Sequence, residues 1–283
     1  MKTIKIVGVP EHFNLPWHLC IENNEFNAKN IDLQWTNIPE GTGKMCQMLR
    51  DSDTDIAVIL TEGIIKDIVA GNDCSIVQIY VKSPLVWGIH VNANSKYQTI
   101  SDLENTKIAI SRLGSGSQLM AYVNAKNQGW KTDNLEFEIV NTIDGAVESL
   151  TSSKSDYFMW ERFMTKPLVD VGIFRKIADC PTPWPCFVIA VRKEILEKHP
   201  KTIRTILDII NKKTIEFKKI KNIDKILAKR YNLKIEDIRQ WLSITEWSQE
   251  NLDEKTLNKI QKQLFELKII DKMSTFATIV QSI

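Results

Sequence analysis

Ten short apolar stretches punctuate the first two thirds of the chain, near residues 3–9, 31–36, 55–60, 75–81, 84–91, 107–111, 136–140, 156–160, 173–178 and 185–191. Each has strand length. Between them lie segments whose apolar residues recur every three or four positions, such as Met45, Met48 and Leu49, or Ile64, Ile65, Ile68 and Val69. Strand-length runs alternating with helical periodicity predict βα units and largely parallel sheets. Ser101-Asp102-Leu103-Glu104 has the spacing of a capping box and predicts a short helix before the strand at 107–111. After about residue 191 the strand pattern stops. Ile203, Ile206, Leu207 and Ile210, then Leu257, Ile260, Leu264 and Leu267, trace amphipathic helices instead. The expected fold class is therefore α/β, with mixed, mainly parallel sheets flanked by helices and a helical C-terminal region.

A length of 283 residues favours two lobes, and 43% hydrophobic with 25% charged residues is the balance of an ordinary globular protein. No Pro/Gly-rich linker separates the lobes. The chain is expected to cross between them through extended hinge segments, with Trp87–Asn94 and Trp184–Ala190 as candidates. A formal charge of +2, from 37 basic and 35 acidic residues, gives no electrostatic case for a nucleic-acid or membrane partner. Lys193, Lys198, Lys201, Lys212, Lys213, Lys218, Lys219 and Lys221 crowd one region, but Asp208, Glu216 and Asp224 interrupt them, and a solvated helix face is the reading. The opening Met1–Pro10 alternates like a strand and lacks the features of an export signal, so a cytoplasmic location is expected. No apolar run approaches the ~20 residues of a membrane helix, so no membrane insertion is expected. Cys20, Cys46, Cys74, Cys180 and Cys186 lack zinc or disulfide spacing and suit a reducing compartment.

The segment richest in chemistry runs from the strand Lys107–Ile110 through Ser111, Arg112 and Leu113 into Gly114-Ser115-Gly116-Ser117, opening a helix. Backbone amides at a helix start, approached closely over glycine and supplemented by serine hydroxyls, can hold a carboxylate, phosphate or sulfonate. A tight βα turn without ligand is the alternative. The Lys-Ser/Thr of a phosphate loop is absent, and no cofactor motif is read. Arg112 beside the loop could pair with an anion or join a surface ion pair. Trp17, Trp87, Trp160 and Trp184 fall at strand ends or proposed crossings, where an indole offers a flat contact and an N–H, or simply packs a lobe interface. Glu62 and Glu161 lie just past strands and could accept from a ligand amine, or favour a helix start. His18 could donate to a ligand or cap local backbone. His12, His18, His90 and His199 have no metal-pair spacing, and no nucleophile elbow occurs.

In mid-chain, Asp102-Leu103 followed by Lys107-Ile108-Ala109-Ile110 and Gly114-Ser115 resembles the second-lobe opening of the type II solute-binding superfamily, in the group of sulfonate-, nitrate- and thiamine-pyrimidine-binding proteins. Val9–Glu22, Asp53–Gly63 and Asp144–Leu150 followed by Asp156–Glu161 resemble other segments of that group in the expected order, over roughly residues 1–192. The resemblance implies two lobes enclosing a cleft: residues 1–90 with 186–283, and residues 91–185. It also implies capture of a small anionic, aromatic or heterocyclic molecule, with Thr61 beside Glu62 among the ligand-facing residues, and a transporter permease as partner if the protein is exported. Enzymes on this fold are the alternative. The fungal thiamine pyrimidine synthase carries consecutive cysteines where this chain has Cys180 and Cys186 separated, and menaquinone-pathway enzymes enclose carboxylated substrates with few overt catalytic groups.

Overall fold

The computed structural model describes residues 1–283 and divides into two units, Met1–Pro84 with Trp184–Ile283, and Leu85–Pro183. In chain order the first unit contributes β1 (Lys2–Gly8), α1 (Leu15–Glu22), β2 (Ile31–Asn37), α2 (Thr42–Arg50), β3 (Ile56–Leu60), α3 (Thr61–Val69) and β4 (Cys74–Val81). The second holds β5 (Val86–Asn92), β6 (Lys107–Ile110), α4 (Gly116–Gln128), β7 (Glu136–Ile139), α5 (Ile143–Thr151), β8 (Tyr157–Glu161), α6 (Lys166–Asp170) and β9 (Phe174–Pro181). The chain then returns to unit 1 with β10 (Phe187–Arg192), α7 (Lys193–Lys198), α8 (Pro200–Glu216), α9 (Ile223–Tyr231), α10 (Ile235–Ile244), α11 (Glu254–Glu266) and α12 (Phe276–Ile279).

Both units build the same five-stranded sheet, in the order β2-β1-β3-β10-β4 and β7-β6-β8-β5-β9. β1 runs parallel to β2 and β3, and β6 parallel to β7 and β8. β10 and β5 each run antiparallel to both of their neighbours. The segments expected as hinges are thus inner strands of the sheets. The first boundary falls at 84/85 because the whole of β5 is paired within unit 2, and the second at 183/184, between β9 of unit 2 and β10, which pairs within unit 1.

The apolar pattern explains the burial. Ile56, Ala57, Val58 and Ile59 of the central β3 have no exposed surface, because helices cover both of its faces. β4 ends the sheet order, yet all eight of its residues are buried. Its open edge is occupied by the C-terminal chain: Ile79 and Lys82 donate to the carbonyls of Glu250 and Glu246, Ser248 donates to that of Tyr80, and Gln281 to that of Ile76. A strand edge that would otherwise template association is closed in this way. Ile203, Ile206 and Ile210 of α8 and Leu257, Ile260 and Leu264 of α11 face inward at their predicted spacing. In unit 2, Ala109, Val140, Ala146, Leu150, Phe158 and Phe174 form a core against which Trp160 and Leu168 pack.

The capping box lies two residues earlier than its expected place at Ser101 and Glu104. Thr99 and Asp102 exchange the reciprocal bonds at the start of the 3-10 turn Ile100–Leu103, and Ser101 is inside that turn. No helix is long and apolar enough to cross a membrane.

Candidate functional site

Parallel strands in an open α/β sheet deliver their following loops to one edge, where such sheets bind ligands. In unit 1 that edge receives Val9–Asn14 after β1, Thr61 and Glu62 after β3, and Trp184–Cys186 before the antiparallel β10, whose Phe187 is in register with Leu60. In unit 2 it receives Ser111–Ser117 after β6, Glu161 ending β8, and Trp87 at the start of β5, in register with Glu161.

The glycine-serine loop of unit 2 spends its polar groups on itself. Gly114, held at φ +74°, donates its amide to Oε1 of Gln118 at 2.6 Å. Ser115 Oγ accepts from the amide of Gln118 at 3.3 Å as the N-cap of α4, and lies 3.0 Å from Ser117 Oγ. Ser117 Oγ in turn accepts from the amide of Ser111 at 2.9 Å, and the residue is only 1% exposed. Both hydroxyls and the Gly114 amide are thus engaged within the loop, as the βα-turn alternative requires. Gly116 opens the helix, and Arg112 beside the loop is half-buried.

The other unit 2 candidates differ in how far their polar atoms are engaged. Glu161 is buried, and its Oε2 accepts from the amides of Phe163 and Met164 at 2.9 and 2.8 Å. Trp160 is half-buried and stacks on Phe158, with ring centroids 5.4 Å apart and planes at 18°. Trp87 meets Trp160 edge to face at 6.1 Å, and its buried Nε1 has no hydrogen-bond partner.

Unit 1 differs. Trp17, expected to face a ligand, is wholly buried among Phe26, Trp35 and Tyr80, each about 6 Å away between ring centroids. An indole on a helix that packs against its own sheet is core, and this expectation is corrected. His18, one residue on, is half-buried with its ring edge to face on Trp35 at 5.0 Å. Burial, then the Arg230 charge, pushes its pKa down to about 4. Thr61 has no exposure and donates its hydroxyl to the carbonyl of Pro185 at 2.6 Å, tying the start of α3 to the segment before β10.

Glu62 and Trp184, 122 residues apart, are brought together by that tie. The indole of Trp184 donates to Glu62 Oε2 at 2.8 Å. Glu62 Oε1 is buried and has no partner. Burial pushes the carboxyl pKa up to about 7, although Glu62's own backbone amide and then the indole bond oppose it.

A second constellation at the same edge escaped sequence reasoning. The loop Glu11–Asn14 is rigidly held: Tyr80 donates its hydroxyl to the Phe13 carbonyl at 2.8 Å, and Asn14 donates Nδ2 to the Val9 carbonyl at 2.8 Å. His12 is fully buried, with Trp241 4.2 Å and Phe13 4.9 Å away between ring centroids. Neither ring nitrogen has a partner, nor do the Trp241 indole N–H and the Tyr231 hydroxyl. Burial lowers the His12 pKa to about 3 and raises that of the neighbouring Glu11 to about 7. The sequence signal was present as two polar residues following β1, but spacing to another histidine was the wrong test. Tyr231 and Trp241, whose rings pack on His12, come from helices more than 200 residues later.

A family model described as Ca3427-like PBP matches residues 87–180. The Candida albicans CA3427 gene product, whose structure is described as exhibiting the generic periplasmic binding protein fold, is 25% identical over 99% of this chain and 96% of its own, with a TM-score of 0.91. The alkanesulfonate-binding protein SsuA of Xanthomonas axonopodis pv. citri, bound to MOPS, is 13% identical over 100% and 99% of the two chains, with a TM-score of 0.84. The periplasmic aliphatic sulphonate binding protein SsuA of Escherichia coli is 17% identical over 99% and 92%, with a TM-score of 0.76. No curated protein sequence matches the chain.

Proposed function

We propose that this chain, whose fold is that of the type II periplasmic binding proteins, is a solute-binding protein whose ligand presents an N–H donor to Glu62. The observation that carries the reading is the buried, unpartnered Oε1 of Glu62 at the carboxyl end of β3. An unsatisfied buried polar atom costs about 1–3 kcal/mol, more when charged, so it persists where something else completes it. Trp184 fixes the carboxyl through Oε2 and leaves Oε1 for a guest. His12, in the loop after the adjacent parallel strand β1, has a donor and an acceptor nitrogen both unmatched, which supports a polar, heterocyclic ligand.

The test is a thermal-shift screen of the whole chain against alkyl sulfonates and aromatic carboxylates on one side and aminopyrimidines and other N–H-bearing heterocycles on the other. Stabilisation by the second group is expected, with Glu62→Gln weakening affinity ~10–100-fold, the worth of a hydrogen bond to a charged group. Affinity for a ligand that does not itself titrate should rise about tenfold between pH 6 and pH 8, as a carboxyl with a pKa of about 7 ionises. Stabilisation by N–H-free sulfonates alone, unchanged in Glu62→Gln, would sink the proposal.

A further inference from the structure

Charge is segregated along this chain. Residues 198–234 hold twelve lysines and arginines against three acidic residues, whereas the whole chain carries only +2. On α8, Lys201, Arg204 and Lys212 are exposed, and their spacing continues through Ile215 to Lys219 along one helical stripe. Lys218 and Lys219 occupy the 3-10 turn that joins α8 to α9. Lys221 precedes α9, and Lys225 and Lys229 follow on α9 at intervals of four residues. None of these side chains forms an ion pair, although Lys213 and Arg230 nearby pair with Glu25 and Glu22, and the acid of α9, Asp224, is taken by Arg239. Asp208 and Glu216 are the acids left on the stripe. Two isoleucines stand among the lysines with their side chains outward: Ile215 is 59% exposed and Ile226 38% exposed.

We propose that this α8–α9 surface docks on an anionic lipid headgroup surface. Clustered lysines lower their mutual repulsion by meeting diffuse negative charge, and seven of the eight unpaired bases are lysine, a hydrated point charge suited to such a surface. Interfaces between proteins are depleted in lysine and favour arginine and aromatic anchors, which are scarce here. Surfaces that bind single-stranded nucleic acid add exposed aromatic rings for base stacking, whereas the exposed apolar residues of this stripe are aliphatic. Isoleucine side chains flanked by lysine suit the boundary between headgroups and acyl chains.

Co-sedimentation of the full chain with phosphatidylcholine vesicles, with and without phosphatidylserine, tests the assignment. Binding is expected only to the phosphatidylserine vesicles, weakening as salt rises. The combined Lys212→Glu, Lys219→Glu and Lys225→Glu variant should partition at least about 100-fold less, since each basic residue near such a surface is worth roughly fivefold. Its melting temperature should stay unchanged, because these side chains are exposed and unpaired. Ile215→Ser with Ile226→Ser should weaken partitioning by ~10-fold at fixed charge. Equal binding to both vesicle types, or full retention by the lysine variant, would overturn the proposal. So would binding of duplex DNA or polyaspartate under conditions where the anionic vesicles are ignored.

Discussion

The two units share a strand order yet treat the same structural position in opposite ways. A glutamate ends or follows the strand third in line in each sheet: Glu62 after β3 and Glu161 at the end of β8. Glu161 turns back on its own chain and accepts two backbone amides. Glu62 receives one distant indole and keeps an oxygen without a partner. The loops after the first parallel strands differ in the same sense. Ser111, Ser115, Ser117 and Gln118 close a local network in unit 2, whereas His12 in unit 1 sits in an aromatic cage with both nitrogens unmatched. A repeated scaffold therefore does not repeat its chemistry. The glutamate and the first loop are bonded locally in unit 2, whereas in unit 1 Glu62 Oε1 and both His12 nitrogens have no partner.

The sharpest test of this contrast is the pH dependence of stability. Glu62 has a folded pKa of about 7 against an ordinary value of 4.5, so its contribution is full below pH 4.5 and is lost as pH rises through 7. The loss is on the order of 3 kcal/mol by pH 8. Urea unfolding at pH 5 and pH 8 should show Glu62→Gln largely relieved of that decline, and an unchanged slope would remove the buried carboxyl from the account. Next in size is Ser117→Ala, which strands the Ser111 amide and should cost about 2 kcal/mol of unliganded stability while leaving ligand affinity intact. The opposite pattern, intact stability with lost affinity, would restore the serine loop as the binding element. Smallest is Gly114→Ala. Its left-handed backbone should cost about 1 kcal/mol, read as a few degrees in the melting temperature, with no change in ligand screening.

Much of the fold was legible because burial imposes periodicity. Each of the ten apolar stretches overlaps an observed strand, and Ile203, Ile206 and Ile210 face inward as their spacing requires. The capping box was misplaced because Ser101 and Thr99 both satisfy the pattern's chemistry, and only backbone geometry selects Thr99. The candidate site was less legible. Trp17 and Trp184 are equivalent as letters, but one is enclosed by Phe26, Trp35 and Tyr80 while the other reaches Glu62.

Strand and helix placement, the α/β alternation and the helical C-terminal region were determined by the sequence alone, since they follow from which residues within a few positions avoid water. The state of each polar group was decided only by tertiary structure. Whether Gly114 offers its amide outward depends on where Gln118 points, and whether Glu62 is half satisfied depends on an indole 122 residues away. Hydrogen bonding is a matter of proximity in space, and sequence order does not specify it.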